Sequence, residues 1–287
     1  MVDSAVTALS IDDKLHAARA ASRSLATATT VQKNAALEAI AAGVLAHAER
    51  IVEANALDLQ RGQDNGMTVG LQDRLRLTPE RIAQLAEAVA EIVELADPVG
   101  TVVRGSVLPN GLSVAQTRVP FGVIGAIYEA RPNVTIDIAA LALKSGNAVV
   151  LRGGSAAEDS NRVLVEVIQS ALSSVGIDPA AVQTVDEFGR EGAKALMQAR
   201  GFVDVLIPRG SAQLIQTVVN ESTVPVIETG AGIVHIFLDE SADEATAVEI
   251  VHNAKVQRPS VCNALETLLV HESAAERLIP AVWPIQG

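Results

Sequence analysis

Aromatic residues are nearly missing from this 287-residue chain; at 2% of the total they leave any core to be built from aliphatic side chains. Cysteine occurs once, at Cys262, which excludes an internal disulfide and gives no sign of an oxidising compartment. Positive charge is in deficit: 22 Lys and Arg against 34 Asp and Glu leave a formal net charge of -12. That balance excludes a general nucleic-acid binder, which needs a basic face to displace counterions. A small anionic ligand stays compatible, because a few local cations define a pocket even in an acidic protein. Long apolar runs are also lacking: none reaches the roughly 18–20 residues of a membrane span. The opening MVDSAVTALSIDDKLHAARA carries acids early and no apolar stretch behind a basic cluster, unlike a signal peptide. The expectation is a soluble cytoplasmic protein with no membrane or nucleic-acid partner.

What is present is aliphatic: 49% of the residues are hydrophobic, ample for a large core in one domain or two. Residues 1–97 read as helices, clearest in TPERIAQLAEAVAEIVELADPVG, where Thr78 is placed to cap and Pro79 fits the first helical position. Ile82, Leu85, Ala86, Val89, Ile92 and Val93 then recur at helical spacing. QDNGMTVGLQDRLRL reads as a polar connection. From about 101 to 117, β-branched residues flank Pro109-Asn110-Gly111 and predict a hairpin.

Beyond Pro120, apolar strands alternate with amphipathic helices. Strands are expected at 122–129, 148–153, 181–186, 203–208, 224–228 and 234–239. This alternation predicts an α/β fold, a doubly wound parallel sheet with helices on both faces. Ligands bind such sheets beyond the carboxyl ends of the strands. YEARPN, RGGS, PRGS and ETGAG all fall there.

Each polar motif has a structural and a chemical reading. Cys262 is either a small buried hydrophobe or a nucleophile; Lys255, Arg258 and an irregular loop at Pro259-Ser260 favour a thiolate. Asn133, after Arg131-Pro132, either caps the next helix or aims its amide at a reacting oxygen. Arg152, Gly153, Gly154 and Ser155 form either a strand-to-helix turn or a contact to the adenosine-side phosphate of a dinucleotide. Arg209, Gly210 and Ser211 repeat that grammar toward a pyrophosphate or a nicotinamide. Glu228, Thr229 and Gly230 end a strand where glycines allow close approach by a cofactor. Lys255 and Arg258 also serve, in the bland reading, as cations at a helix C-terminus. No metal ligand set is read.

Taken in order, VPFGVIGAIYEARPNVT (119–135), LALKSGNAVVLRGGSAAEDSN (141–161), PRGSAQLI (208–215), VIETGAG (226–232) and NAKVQRPSVCNALETLLVH (253–271) resemble the aldehyde dehydrogenase superfamily. More closely they resemble its gamma-glutamyl phosphate reductase (glutamate-5-semialdehyde dehydrogenase) branch. The resemblance implies an aldehyde dehydrogenase-like fold. It places an NADP-binding domain at 1–248, made of N-terminal helices (1–97), the hairpin and a Rossmann-like part (118–248). The beginning of a catalytic domain follows at 249–287, and the rest of that domain is expected to be missing.

It further implies NADPH-dependent reduction of L-glutamate 5-phosphate in proline biosynthesis, through a thioester. Cys262 matches the nucleophile and Asn133 the oxyanion donor. Glu228 matches the general base of hydrolytic relatives; apart from the resemblance, Arg258 is a candidate for the leaving phosphate by its charge and its place four residues before the thiol. Arg152 and Ser155 match the adenosine-ribose region, and Gly210 and Ser211 the nicotinamide end. A homo-oligomer at full length and a functional association with glutamate 5-kinase are the implied partners. Ser211 departs from a glycine common at that place in the family, and Ile233-Val234 from a polar residue and a cysteine. The alternatives are another acylating aldehyde dehydrogenase, or an inactive fragment that binds nucleotide.

Overall fold

A computed structural model describes residues 9–129, 131–230, 232–259 and 261–283. Ser260, invoked above for the cysteine loop, and the extreme ends of the chain lie outside the described residues. The chain divides into two compact units, Met1–Thr229 and Gly230–Gly287.

The first unit begins with helices α1 (Ile11–Leu25), α2 (Thr30–Ala46), α3 (Ala48–Asp64), α4 (Val69–Leu75) and α5 (Pro79–Glu94). Their starts are written in the sequence. Ser10 and Thr29 each make a reciprocal capping box, with Asp13 and Gln32. The Thr78 side chain accepts from the Arg81 N–H, with Pro79 in the first turn, and Ile82, Leu85, Ala86 and Val89 face inward. Thr78→Ala is expected to cost about 1 kcal/mol. A thermal melt should show this as a midpoint lower by roughly 2–4 °C.

Helix α4 lies inside the stretch read as a connection. It buries only Leu75, while Val69 and Leu71 stay exposed, so no apolar period betrays it. Two buried lysines bind the helices to the rest of the unit. Lys33 pairs with Asp97 at 2.6 Å, and Lys144 donates to Asn34 Oδ1 and to the Val93 carbonyl.

The sheet is made of β3 (Val123–Tyr128), β4 (Ala148–Arg152), β5 (Val182–Thr184) and β6 (Val205–Arg209), in the order β5-β4-β3-β6, all pairs parallel. Strand β3 is buried along its whole length, as its unbroken apolar run predicts. Within it Gly125 leaves room for Leu206, whose Cδ2 would lie 2.4 Å from an added Cβ. Helices α6 (Pro132–Lys144), α7 (Glu158–Ser174), α8 (Gly189–Met197) and α9 (Ala212–Glu221) alternate with these strands.

Two expected strands turn out otherwise. Residues 224–228 form no strand; Val226 makes only an isolated parallel bridge to Leu206. The Leu206 N–H donates to the Pro225 carbonyl and the Ile227 N–H to the Leu206 carbonyl, but Pro225 has no N–H with which to extend the ladder. The segment 234–239 does form a strand, β7 (His235–Leu238), yet it pairs in parallel with β8 (Thr267–Val270) and not with the first sheet. With α10 (Glu244–Val256) and α11 (Ala275–Val282) these strands enclose a separate core of Leu238, Ala247, Val251, Leu265, Leu278 and Val282. The compact units therefore divide at 229/230, earlier than the expected domain boundary at 248.

The hairpin forms as expected from β1 (Val102–Val107) and β2 (Ser113–Thr117), antiparallel, with Gly111 at φ +83 in the turn. Every residue of both strands is exposed.

Candidate active site

In the first unit the carboxyl ends of β3, β4 and β6 each lead into a polar turn. Beyond β3, Arg131 is the N-cap residue of α6 and makes no side-chain cap bond, so Asn133 lies within the first turn. Asn133 does not cap. Its Nδ2 instead donates to Asp137 Oδ2, one turn along, at 3.2 Å. Asp137 is half-buried, and burial pushes its carboxyl above the ordinary range, opposed by the Asn133 bond and the charge of Arg209.

Beyond β6, Ser211 caps α9 by accepting from the Leu214 N–H, and its hydroxyl donates to Glu129 Oε1 at 2.5 Å. Gly210 sits at φ +159, where an added Cβ would fall 2.7 Å from Glu129 Cδ. Glu129, at the end of β3, thus fixes the PRGS turn against the neighbouring strand. Arg209 itself is exposed.

A buried chain of hydrogen bonds runs from α6 to the turn after β4. The Tyr128 hydroxyl meets Thr135 Oγ1 at 2.7 Å, Thr135 Oγ1 donates to Asn161 Oδ1, and Asn161 Nδ2 donates to Asp186 Oδ2. Asp186 Oδ1 in turn accepts from the Gly153 N–H at 2.6 Å. Burial raises the pKa of both Tyr128 and Asp186. A Cβ on Gly153 would lie 2.1 Å from Asn161 Nδ2, so the turn needs glycine there. The Arg152 guanidinium bonds the Gly189 carbonyl at 3.3–3.4 Å. Ser155 opens a short 3-10 turn whose N-cap is Gly154, and it is exposed.

The cap of α7 comes from elsewhere. Asp58, fully buried on α3, accepts from the Asp159 and Ser160 N–H groups and from the Ser160 hydroxyl. Arg61 bridges Asp58, Asp159 and the Ser155 carbonyl, which holds the Gly153–Ser155 turn to α3. Sequence reasoning missed Asp58, Glu129 and Asp137. A signal for Asp58 existed: it follows Ile51, Ala54 and Asn55 on the buried stripe of α3, a position where an unpartnered carboxylate is not tolerated.

Glu228 and Thr229 are exposed at the end of the first unit, and Gly230 opens the second. In that second unit Cys262 lies in the turn between α10 and β8, and its thiol is exposed. The small-buried-hydrophobe reading therefore fails. Lys255 Nζ donates to the Leu265 carbonyl at 3.0 Å, and the Leu265 N–H to the Ala254 carbonyl, so this turn is closed back onto α10. Arg258 is exposed beside it. Among the described residues, no group of three or more His, Cys, Asp or Glu is placed to hold a metal, and no helix is long and apolar enough to cross a membrane.

A parallel sheet with polar turns at its carboxyl edge, followed in the chain by an exposed thiol, defines the class: the chain matches the aldehyde dehydrogenase family over residues 4–283 and belongs to it. Within that family it is similar to gamma-glutamyl phosphate reductases. The enzyme of that name from Leifsonia xyli is 67% identical over 96% of this chain and 66% of its own length. That from Clavibacter michiganensis is 66% identical over 93% of this chain and 62% of its own. The crystal structure of gamma-glutamyl phosphate reductase from Thermotoga maritima superposes with a TM-score of 0.87 at 42% identity, covering 95% of this chain and 66% of that one. The chain thus spans just under two thirds of the length of these relatives.

The first unit fits a nicotinamide dinucleotide, the cofactor class of this family. Glycine is sterically required at 153 and at 210 in the turns after β4 and β6, and Ser155 and Arg209 are exposed in those same turns. The helices α6 and α9 start directly beyond strand ends, so their positive dipole ends lie at the carboxyl edge of the sheet, where a phosphate is favoured.

Proposed function

We propose that this chain carries the nucleotide-binding part and the nucleophile of an NADPH-dependent reductase. The enzyme converts L-glutamate 5-phosphate to L-glutamate 5-semialdehyde and phosphate, in the cytoplasmic synthesis of proline. The observation that supports this most directly is the 67% identity to a gamma-glutamyl phosphate reductase across 96% of the chain. The exposed Cys262 and an Asn133 amide free of the capping role, held instead by Asp137, agree with it.

Cys262, as thiolate, attacks the acyl carbonyl carbon. Asn133 Nδ2 and the Cys262 backbone N–H receive the negative charge that develops on the carbonyl oxygen. Phosphate leaves with the electron pair of the C–O bond, and a thioester remains on Cys262. Arg258 is assigned to the departing phosphate. When bound, NADPH supplies the hydride, with Arg152, Gly153, Gly154 and Ser155 at its adenosine end and Arg209, Gly210, Ser211, Thr229 and Gly230 toward its nicotinamide end. The resulting thiohemiacetal releases the aldehyde as its C–S pair returns to sulfur. No step activates water, and water would waste the thioester, so Glu228 is not needed as a base. In this proposal the first unit, Met1–Thr229, forms the NADP-binding part and the second, from Gly230, begins the catalytic part.

An acyl phosphate is hydrolytically labile, which favours a functional association with the glutamate 5-kinase that makes it. A homo-oligomer accords with the hairpin β1–β2: it is exposed on both faces, with Val102, Val107, Leu112 and Val114 uncovered, and an isolated two-stranded ribbon is marginal in water.

The test is phosphate-dependent reduction of NADP by glutamate semialdehyde, run on the chain alone and on the chain joined to the C-terminal third of the Leifsonia xyli relative. Turnover that requires phosphate is the expected result. Turnover with coenzyme A in place of phosphate would instead make the chain part of a different acylating dehydrogenase. NADPH binding without turnover in either form would reduce its role to nucleotide binding.

A further inference from the structure

Asp137 has no part in the mechanism above, yet its carboxylate accepts a hydrogen bond from Asn133, the residue assigned to the oxyanion. The two side chains are four residues apart on α6 and share one face of the helix. An asparagine amide has two ends of nearly equal shape, and only the NH2 end stabilises a negative oxygen. A carboxylate solely accepts, so it pairs with the NH2 end and repels the carbonyl end. The 3.2 Å bond from Asn133 Nδ2 to Asp137 Oδ2 occupies one N–H and leaves the second for a ligand. Around Asp137 the neighbours that act on its charge are Asn133, on its own helix, and Arg209, at the end of β6. Arg209 offsets the negative charge that Asp137 brings near a developing oxyanion.

We propose that Asp137 is a positioning residue that locks the Asn133 amide in the orientation needed for acyl transfer. The catalytic consequence rests on the reductase reading; the pairing rests on the hydrogen bond alone. The two are tested separately.

For the pairing, the Asn133 side-chain amide signals of the 15N-labelled chain are assigned by their loss in Asn133→Ala. These signals are expected to shift with pH along a single carboxylate titration, to stop titrating in Asp137→Asn, and to move in Asp137→Leu. Signals unchanged in both Asp137 variants would overturn the proposal, whatever the enzyme does. For the consequence, Asp137→Leu in the extended chain is expected to lower kcat about 10- to 100-fold with KM within about 2-fold, as a misaligned catalytic group does. Asp137→Asn, whose carbonyl can accept the same N–H, should restore most of that rate. In an Asn133→Ala background, Asp137→Leu should cost less than about 2-fold more, because the two act as a unit. Additive losses would overturn the positioning role. Absence of turnover in every form, with the amide titration intact, would count against the reductase reading and leave the pairing standing.

Discussion

Cys262→Ser is expected to lower acyl-phosphate reduction by roughly 10⁴-fold or more, the scale on which loss of a covalent nucleophile acts. The reasoning rests on the sulfur at two steps. A thiol yields its anion near neutral pH and a serine hydroxyl does not, so the first attack loses its reagent without a strong base beside it. Serine would also form an ester where cysteine forms a thioester, and the ester carbonyl is the poorer hydride acceptor. NADPH binding to the first unit should be unaffected, since Cys262 lies in the second. The check pairs the rate of NADPH oxidation in the extended chain with a fluorescence titration of NADPH. A serine variant that kept more than about a tenth of the rate would remove Cys262 from the chemistry.

Asp58→Ala should be the most destabilising single change among the residues discussed, by about 3–5 kcal/mol. The carboxylate is fully buried and accepts from two backbone N–H groups of α7, the Ser160 hydroxyl and Arg61. Removing it leaves those N–H groups unpaired in the interior and takes away one of the two carboxylates that hold Arg61. Asp58→Asn should cost less, because its carbonyl keeps one acceptor, though its NH2 end then faces a donor. A urea or thermal melt measures the loss, and a midpoint drop of roughly 6 °C or more is expected for the alanine variant. The turn Gly153–Ser155 loosens with it, so NADPH affinity should fall in parallel. A melt within about 1 kcal/mol of the parent would show that α7 is held by packing alone.

Elements whose physics is local could be read directly. Thr78-Pro79 and the apolar period behind it fixed α5, Pro109-Asn110-Gly111 fixed the hairpin, and the continuous apolar runs fixed β3, β4 and β6. What escaped depends on partners far along the chain. The strand at 234–239 was legible as a strand, but nothing in its own residues says that β8 is its neighbour. At 224–228 the apolar pattern is that of a strand, but the donors that would extend the bridge to either side fall at Pro225 and Pro208, which have no N–H. The polar turns after β3, β4 and β6 were legible as strand ends, ETGAG was not, since no strand precedes it, and Cys262 was legible as a nucleophile candidate. Asp137 and Asp58 were not, because each matters through a bond that only the folded chain brings about: a helical turn in one case, a contact 101–102 residues away in the other.

The sheet order β5-β4-β3-β6 also sets a timetable for synthesis. All its strands lie between Val123 and Arg209, so the last one made slots in beside the first. Cys262 is translated about fifty residues later, an interval of several seconds at roughly 5–20 residues per second. On the ribosome, the four-stranded sheet can therefore be assembled before the Cys262 thiol leaves the exit tunnel.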